Sequence, residues 1–377
     1  MDLLLWAEDS EPELFSELKC SIPRAPLHSL HSGWVETDLR AVPGRRLPCL
    51  AFVRQWLPNA RPLRAESINA WAAAVFGTLA DALPDQQPWS LQVEPHYGAP
   101  ATHRIGARAW HSRTRLKLPP DQTAAARGPA LAAGRHRSRL IREAVLELLQ
   151  KKRRHLLRQL RRELVPFTPL DSSVQVLLTA PDAGFISVAP APLPFEQRHL
   201  LSHFPKGEVP AAVDKAAPSR AFAKLVEAEL RLGRAVHAGE TCVDLGASPG
   251  SWSYVALKRG ARVLVVDRSP LREDLMAHPR VRFQRGDAFR FQPERPVDWL
   301  LCDVIAAPER NAELLLEWLR RGWCRFFVVT LKLKDSADSE ILARLKQELP
   351  SLTCEHFLLR LCANKKEICA FGERKQI

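Results

Sequence analysis

The stretch Cys242-Val243-Asp244-Leu245-Gly246-Ala247-Ser248-Pro249-Gly250-Ser251-Trp252 places the tightest limit on how this chain folds. An apolar, β-branched lead-in ends in Asp-Leu-Gly, a Pro-Gly turn follows, and a helical run continues through Leu257. That is the pattern of a strand, a tight loop and a helix N-terminus. In a doubly wound α/β sheet, ligands sit outside the carboxyl ends of the strands, so this loop lies where a nucleotide-like ligand binds. Gly246 and Gly250 let the backbone approach it closely. The spacing is not G-x-G-x-x-G, because Ser248 stands where the second glycine belongs and Pro249 lies in the turn. A nicotinamide dinucleotide is therefore disfavoured. Asp267 closes the next strand, Val263 to Val266, where an acidic side chain accepts both hydroxyls of a ribose. Adenosine without a pyrophosphate fits. Taken alone, the turn reads equally well as an ordinary strand-to-helix junction with a capping Asp. Asp287 and Asp303 also follow apolar stretches, and that repetition favours a ligand.

A chain of 377 residues buries a sizeable core and divides into two or three units. A formal net charge of +13 favours a polyanionic partner, either nucleic acid or an acidic membrane surface. No apolar run is long enough to cross a bilayer, and Leu3-Leu4-Leu5-Trp6 is followed by acids instead of a cleavage site, so the membrane reading is the weaker one. The 8 cysteines are scattered singly, and Cys354, Cys362 and Cys369 lack the paired spacing and histidines of a zinc site. They read as reduced, mostly buried thiols of a cytoplasmic protein, and no metal is expected.

Upstream, Leu3 to Trp6 reads as a strand and Glu11 to Leu18 as a helix with Leu14, Phe15 and Leu18 on one face. Trp34 to Thr37 and Cys49 to Val53 look like further strands around Pro43-Gly44. Ser67 caps a helix from Ile68 to Leu83, and strand character resumes from Trp89 to Val93. Gly98 to Gly134, rich in Pro, Gly, Thr, Arg and His, reads as a loop or insert. From Arg135 to Leu164, Leu140, Ile141, Val145, Leu148, Leu149, Leu156, Leu157, Leu160 and Leu164 recur at helical spacing. The opposite face carries Arg135, Arg137, Arg139, Arg142, Lys151, Lys152, Arg153, Arg154, Arg158, Arg161 and Arg162, a density matched to phosphates. A short charge run is usually a solvated face, but the whole chain is basic too. The helix has no Trp or Phe among its apolar residues, which argues against a membrane surface.

Val174 to Leu178 and Phe185 to Val188 read as a hairpin, and Pro190, Pro192 and Pro194 mark a linker. Beyond it, Pro218-Ser219 starts a helix through Leu230 carrying Lys224, and strands then alternate with helices to Phe371. A mostly parallel sheet with helices on both faces is expected. The division is a small α/β domain at 1–62, a second domain at 63–189 and an α/β domain at 190–377.

The runs Asp244 to Trp252, Val266-Asp267, Gly286-Asp287-Ala288-Phe289, Cys302-Asp303 and Thr330-Leu331-Lys332-Leu333 resemble the ribose 2′-O-methyltransferases of the FtsJ-like group. Ala217-Pro218-Ser219-Arg220 with Lys224, and Trp318-Leu319 with Gly322-Trp323-Cys324-Arg325, resemble its RlmM-like branch, which methylates a cytidine ribose in bacterial large-subunit ribosomal RNA. The resemblance is strong from about Ala217 onward and thin before it, where Phe52-Val53-Arg54-Gln55-Trp56 is a shorter echo. It implies a Rossmann-like methyltransferase domain, a THUMP-like RNA-binding region at 63–189, S-adenosyl-L-methionine as cofactor and ribosomal RNA, before full assembly of the large subunit, as partner. The family tends to have Cys where Ser248 stands and Gly where Ser251 stands.

The family's Lys-Asp-Lys-Glu tetrad falls on Lys224, Asp303, Lys332 and Glu367. A ribose hydroxyl is a poor nucleophile until its proton is taken, and a lysine takes it only if burial or a neighbouring cation disfavours its charge. Lys224 is that neighbour in this reading, Lys332 the base, and Asp303 and Glu367 orient the two ammonium groups. Asp244, Gly246, Ser248, Pro249, Gly250, Ser251, Trp252, Asp267, Asp287 and Asp303 are the expected cofactor contacts. Singly, Lys332 and Glu367 read as charges on a late strand, Lys224 as a surface helix residue and Trp252 as core. An amino-methylating enzyme would have Pro-Pro-aromatic after the strand-tip acid, whereas this chain has Asp303-Val304-Ile305-Ala306. A base C5-methylating enzyme needs a nucleophilic cysteine, and Cys302 reads better as a buried strand thiol. The alternative from another class is a catalytically inactive RNA-binding ribosome-assembly factor that has kept the sheet.

Overall fold

The computed structural model describes residues 1–6, 10–22, 26–31, 33–39, 49–96, 103–104, 124–161, 170–192, 199–202, 204–209, 214–333, 338–364 and 367–376. Pro43-Gly44, Arg162, Leu164, Pro194 and most of the stretch from 98 to 123 lie outside them. The chain divides into two compact units, Met1–Pro48 with Val53–Glu208, and Cys49–Phe52 with Val209–Ile377.

The first unit holds β1 (Asp2–Trp6), α1 (Glu11–Ser21), β2 (Leu27–His31), β3 (Trp34–Thr37), β4 (Val53–Leu57), β5 (Arg61–Arg64) and α2 (Ile68–Ala82). It continues with β6 (Trp89–Pro95), β7 (His103–Arg104), α3 (Ala124–Lys152), α4 (Arg154–Gln159), β8 (Ser172–Leu178) and β9 (Ala183–Ala189). One sheet has the order β4-β1-β3-β2-β7 and the other β5-β9-β8-β6. The Ser67 hydroxyl accepts from Ala70 N–H at 3.1 Å, the expected N-cap of α2. In α3, Ile141, Val145 and Leu149, each a turn apart, are fully buried and pack with Trp71, Val75 and Leu79 of α2. The expected Cys49 to Val53 strand is a turn up to Phe52, and Ala51 O accepts Arg360 N–H at 2.7 Å within the second unit.

The basic helix also departs from expectation. It starts at Ala124, ten residues before the end of the expected loop, and breaks at Arg153, where φ is −146° and ψ 59°. Past the break the backbone bonds to Trp89: Trp89 Nε1 donates to Leu156 O at 2.8 Å, and Arg161 N–H donates to Trp89 O at 2.8 Å. Tertiary partners thus replace the helical ones, where four consecutive cations, Lys151 to Arg154, repel one another. Arg135, Lys152, Arg153 and Arg158 are exposed and form no ion pair among the described residues. Arg139, Lys151 and Arg161 are paired with Glu143, Glu147 and Asp171.

The second unit holds α5 (Phe222–Leu232), β10 (Thr241–Leu245), α6 (Ser251–Lys258), β11 (Arg262–Asp267), α7 (Glu273–Met276) and β12 (Val281–Arg285). After these come β13 (Val297–Cys302), α8 (Pro308–Arg321), β14 (Cys324–Lys332), α9 (Asp338–Leu352), β15 (Thr353–Leu359) and β16 (Glu367–Arg374). The seven strands lie in the order β12-β11-β10-β13-β14-β16-β15. The first five are parallel, and β16 runs antiparallel to both β14 and β15. On one face Leu225 of α5 and Trp252, Val255 and Ala256 of α6 share a core with Cys242, Val263, Trp299 and Phe326. Leu300 and Phe327 alternate to the other face, where Leu315, Leu316 and Leu319 of α8 are buried. Both faces are covered by helix, which is why the strands read as continuous apolar runs.

Candidate active site

The parallel strands deliver their carboxyl ends to one edge of the sheet, and the acidic residues gather there. At the end of β10, Gly246 has φ +68° and donates its N–H to Val266 O at 2.9 Å. A Cβ at this position would lie 2.4 Å from Val304 Cγ2, so only glycine fits between the loops that follow β10 and β13. Gly250, at φ +107°, is pressed by Leu275 in the same way, its Cβ position lying 2.5 Å from Leu275 Cδ1. Asp267 pins the loop between these glycines: Oδ2 accepts Ser248 N–H at 2.9 Å and Oδ1 accepts Ser269 N–H at 2.8 Å. Pro249 O accepts Arg272 N–H at 3.1 Å. Asp287 accepts Phe289 N–H at 3.0 Å and pairs with Arg268 at 2.9 Å, and these bonds, the backbone one foremost, hold its carboxyl below the usual range.

Asp244 is 1% exposed and accepts the Ser253 hydroxyl at 2.6 Å. Burial, helped by the nearby charges of Asp303 and Asp267, pushes its carboxyl up to about 7 against the Ser253 bonds. Two expected ligand contacts turn inward instead. Trp252 is buried and donates Nε1–H to Ala221 O at 2.9 Å, and the buried Ser251 hydroxyl meets that of Ser219 at 2.7 Å. Both side chains serve the packing of α5 on α6.

Lys224 sits on α5 and is buried, where a surface helix residue would be exposed. Its ammonium lies 3.2 Å from both oxygens of Asp303 and 2.5 Å from Glu367 Oε1. Burial alone would push Lys224 down, but Asp303 and then Glu367 more than offset it, and the net direction is up. Lys224 is thus fixed as a cation. Lys332 ends β14 directly opposite Glu367 in the β14–β16 register and forms no ion pair among the described residues. The carboxylates are therefore not shared between the two lysines as expected, because the desolvated Lys224 recruits both.

Three further polar side chains organise this edge. The Thr330 hydroxyl donates to Asp303 Oδ1 at 2.7 Å. Asn311, fully buried on α8, donates its amide to Val304 O at 3.1 Å and Thr330 O at 2.9 Å, tying the loop after β13 to β14. Ser253 is the third, through Asp244. Thr330 precedes Lys332 by two residues, hence on the same face of the strand, and Asn311 interrupts an apolar stripe shared with Leu315 and Leu319. Those were their sequence signals. Cys302, buried beneath the edge, has its thiol pushed up to about 12 by burial, so it supplies no thiolate. Among the described residues no acid, histidine or cysteine cluster is suited to a metal ion, and no helix is long and apolar enough to cross a membrane.

Residues 217–349 match the family model of the FtsJ-like methyltransferases. The match lies within the second unit. Over 155 residues the chain is 39% identical to ribosomal RNA large subunit methyltransferase M of Thauera aminoaromatica, covering 40% of this chain and 43% of that protein. The protein of the same name from Halorhodospira halophila (strain DSM 244 / SL1) is 36% identical over 174 residues, 45% of this chain and 51% of its own. That of Laribacter hongkongensis (strain HLHK9) is 44% identical over 133 residues, 34% of this chain and 38% of its own. In these matches the chain spans about half the length of the relatives, or less. Lys224, Asp244, Asp267, Asp287, Asp303 and Lys332 all fall inside the FtsJ-like segment, whereas Glu367 lies beyond it.

Proposed function

We propose that the protein methylates a ribose 2′-hydroxyl, on a cytidine, in large-subunit ribosomal RNA, taking the methyl group from S-adenosyl-L-methionine. The observation that carries this reading is the cluster at the sheet edge: a buried cation held by two carboxylates beside a second lysine left outside any described ion pair. The donor set suits the cofactor. Each oxygen of Asp267 receives one backbone N–H, and a carboxylate has about four acceptor sites, so two remain for a ribose diol. Asp303 supplies negative charge beside the cofactor's sulfonium group, the buried Asp244 fixes the end of β10 through Ser253, and Gly246, Ser248, Pro249 and Gly250 shape the backbone beside it. When bound, the cofactor supplies an electrophilic methyl group.

The chain's own residues then position the acceptor and move one proton. Lys224 stays charged between Asp303 and Glu367, holds those side chains in register and presents positive charge to an oxygen becoming anionic. Lys332, at the end of β14, accepts the hydroxyl proton. RNA is held by the first unit, which we read as containing a THUMP-like region, through the unpaired cations of α3 and the segment after it, Arg135, Lys152, Arg153 and Arg158. The protein acts in the cytoplasm on RNA before the large subunit is complete, with no membrane partner.

Tritiated methyl transfer to ribosomal RNA from cells lacking the protein, followed by nuclease digestion, tests the reading. Label on a ribose is expected. Lys332→Ala should abolish transfer with RNA and cofactor affinities nearly unchanged, since an interaction used mainly in the transition state lowers turnover more than binding. Lys332→Arg should fail too, because guanidinium keeps its proton. Label on a base, or near-normal turnover in Lys332→Ala, overturns it. RNA binding without transfer would instead mark an assembly factor.

A further inference from the structure

Ile305 is 83% exposed, two residues past Asp303 at the carboxyl edge of the sheet. Among the described residues of this unit the other large apolar side chains are buried or partly buried, apart from Met276 at 37%. The backbone that presents Ile305 is held firmly. Val304 packs against Gly246 so closely that no Cβ fits there, and Val304 O accepts the Asn311 amide at 3.1 Å. Asp303, on the other side, is gripped by Lys224 and Thr330. A rigid segment thus lifts one branched aliphatic side chain into solvent beside the polar cluster. Five residues on, the exposed Arg310 lies over the Phe289 ring, its guanidinium carbon 3.9 Å from the centroid, at the start of α8. Apolar surface followed along the chain by a stacked guanidinium suits a ligand with a flat apolar face and anionic ends. A nucleotide within an RNA strand has both.

We propose that Ile305 is the platform for the acceptor nucleotide: the base lies against its side chain, and Arg310 holds an adjacent phosphate. The inference rests on the methyl-transfer reading above and adds the residue that seats the substrate. Seating the base two residues from Asp303 brings its ribose to the tetrad, which converts recognition of RNA into alignment of one hydroxyl.

Steady-state methyl transfer by the full chain, with RNA varied and cofactor saturating, is to be compared for wild type, Ile305→Ser and Ile305→Leu. Ile305→Ser should raise KM for RNA roughly tenfold, the size expected for losing one apolar base contact, with KM for the cofactor unchanged. Ile305→Leu should stay near wild type. Unchanged KM for RNA in Ile305→Ser overturns the proposal. A second arm does not depend on turnover: the full chain with the photoreactive amino acid benzoylphenylalanine in place of Ile305 should cross-link under ultraviolet light to RNA, at a nucleotide mapped by primer extension. A cross-link in a chain that transfers no methyl group to RNA would refute the methyl-transfer reading and leave the base contact standing. Methyl transfer without a cross-link would refute the base contact alone.

Discussion

Lys224 has the side chain whose removal should cost most. Its ammonium compensates two carboxylates whose side chains are 20% and 11% exposed, Asp303 and Glu367. Stripping a partner from a largely buried ion cluster leaves uncompensated charge, typically a loss of about 3 kcal/mol. Lys224→Met should therefore be less stable by that order in urea unfolding at pH 7. Equal stability would contradict the buried ion cluster. Lys332→Ala should leave urea stability near wild type, since no described ion pair is broken, and the contrast separates the structural cation from the lysine proposed as the base. Asp303 takes part in both, gripped by Lys224 and Thr330 while standing at the strand tip.

At the scale of the element, α3 is two-sided. Its buried stripe of Ile141, Val145 and Leu149 fixes it to α2, which leaves the cations outward. Each phosphate contact releases condensed counterions, so replacing both Arg153 and Arg158 by Ala should lower the slope of log affinity for RNA against log salt by about two. An unchanged slope would mean that this segment is an ordinary solvated surface. On β15, His356 is largely buried and its Nδ1 lies 2.8 Å from the Thr353 hydroxyl. Burial first, and Lys375 second, lower it from 6.5 to about 4. The folded state thus resists protonation that the unfolded chain accepts. Its contribution is complete above about pH 6.5 and is lost as pH falls toward 4, worth about 3 kcal/mol over that window. In denaturation curves between pH 7 and pH 4, His356→Gln should lose less stability than wild type. Parallel losses in the two proteins would exclude His356 as the cause.

For the whole molecule, the two units divide the proposed work. A chain starting at residue 190 keeps the strand-end acids and the tetrad but lacks the first unit's cations and residues 49–52, which belong to the second unit. It should retain S-adenosylmethionine binding, lose most RNA affinity and unfold several degrees below the full chain, because Arg360 N–H loses its bond to Ala51 O. RNA binding as tight as that of the full chain would remove the first unit from RNA recognition. Adding the 49–52 segment back as a peptide should raise the unfolding temperature without restoring RNA binding.

How much of this was legible in the sequence depends on the range of the forces involved. The loop from Asp244 to Trp252, the strand tips at Asp267 and Asp303 and the amphipathic stripe of α3 are local patterns, set by backbone geometry and the alternation of apolar residues. The same local logic found the α2 cap at Ser67 and the hairpin of β8 and β9. It failed at Arg153, where bonds to the distant Trp89 outweighed helical propensity, and at Cys49 to Phe52, where a turn bonded to Arg360 replaced the expected strand. It also left open what the two carboxylates would hold. Glu367 opens a strand instead of closing one, and it reaches the active edge only because β16 runs antiparallel to β14 and sets it opposite Lys332. Lys224 then draws in both Glu367 and Asp303, because a buried ammonium must replace its lost hydration with the nearest negative charge. The sequence by itself determined which residue types stand at the strand tips; strand direction and desolvation, properties of the assembled sheet alone, decided which lysine they serve.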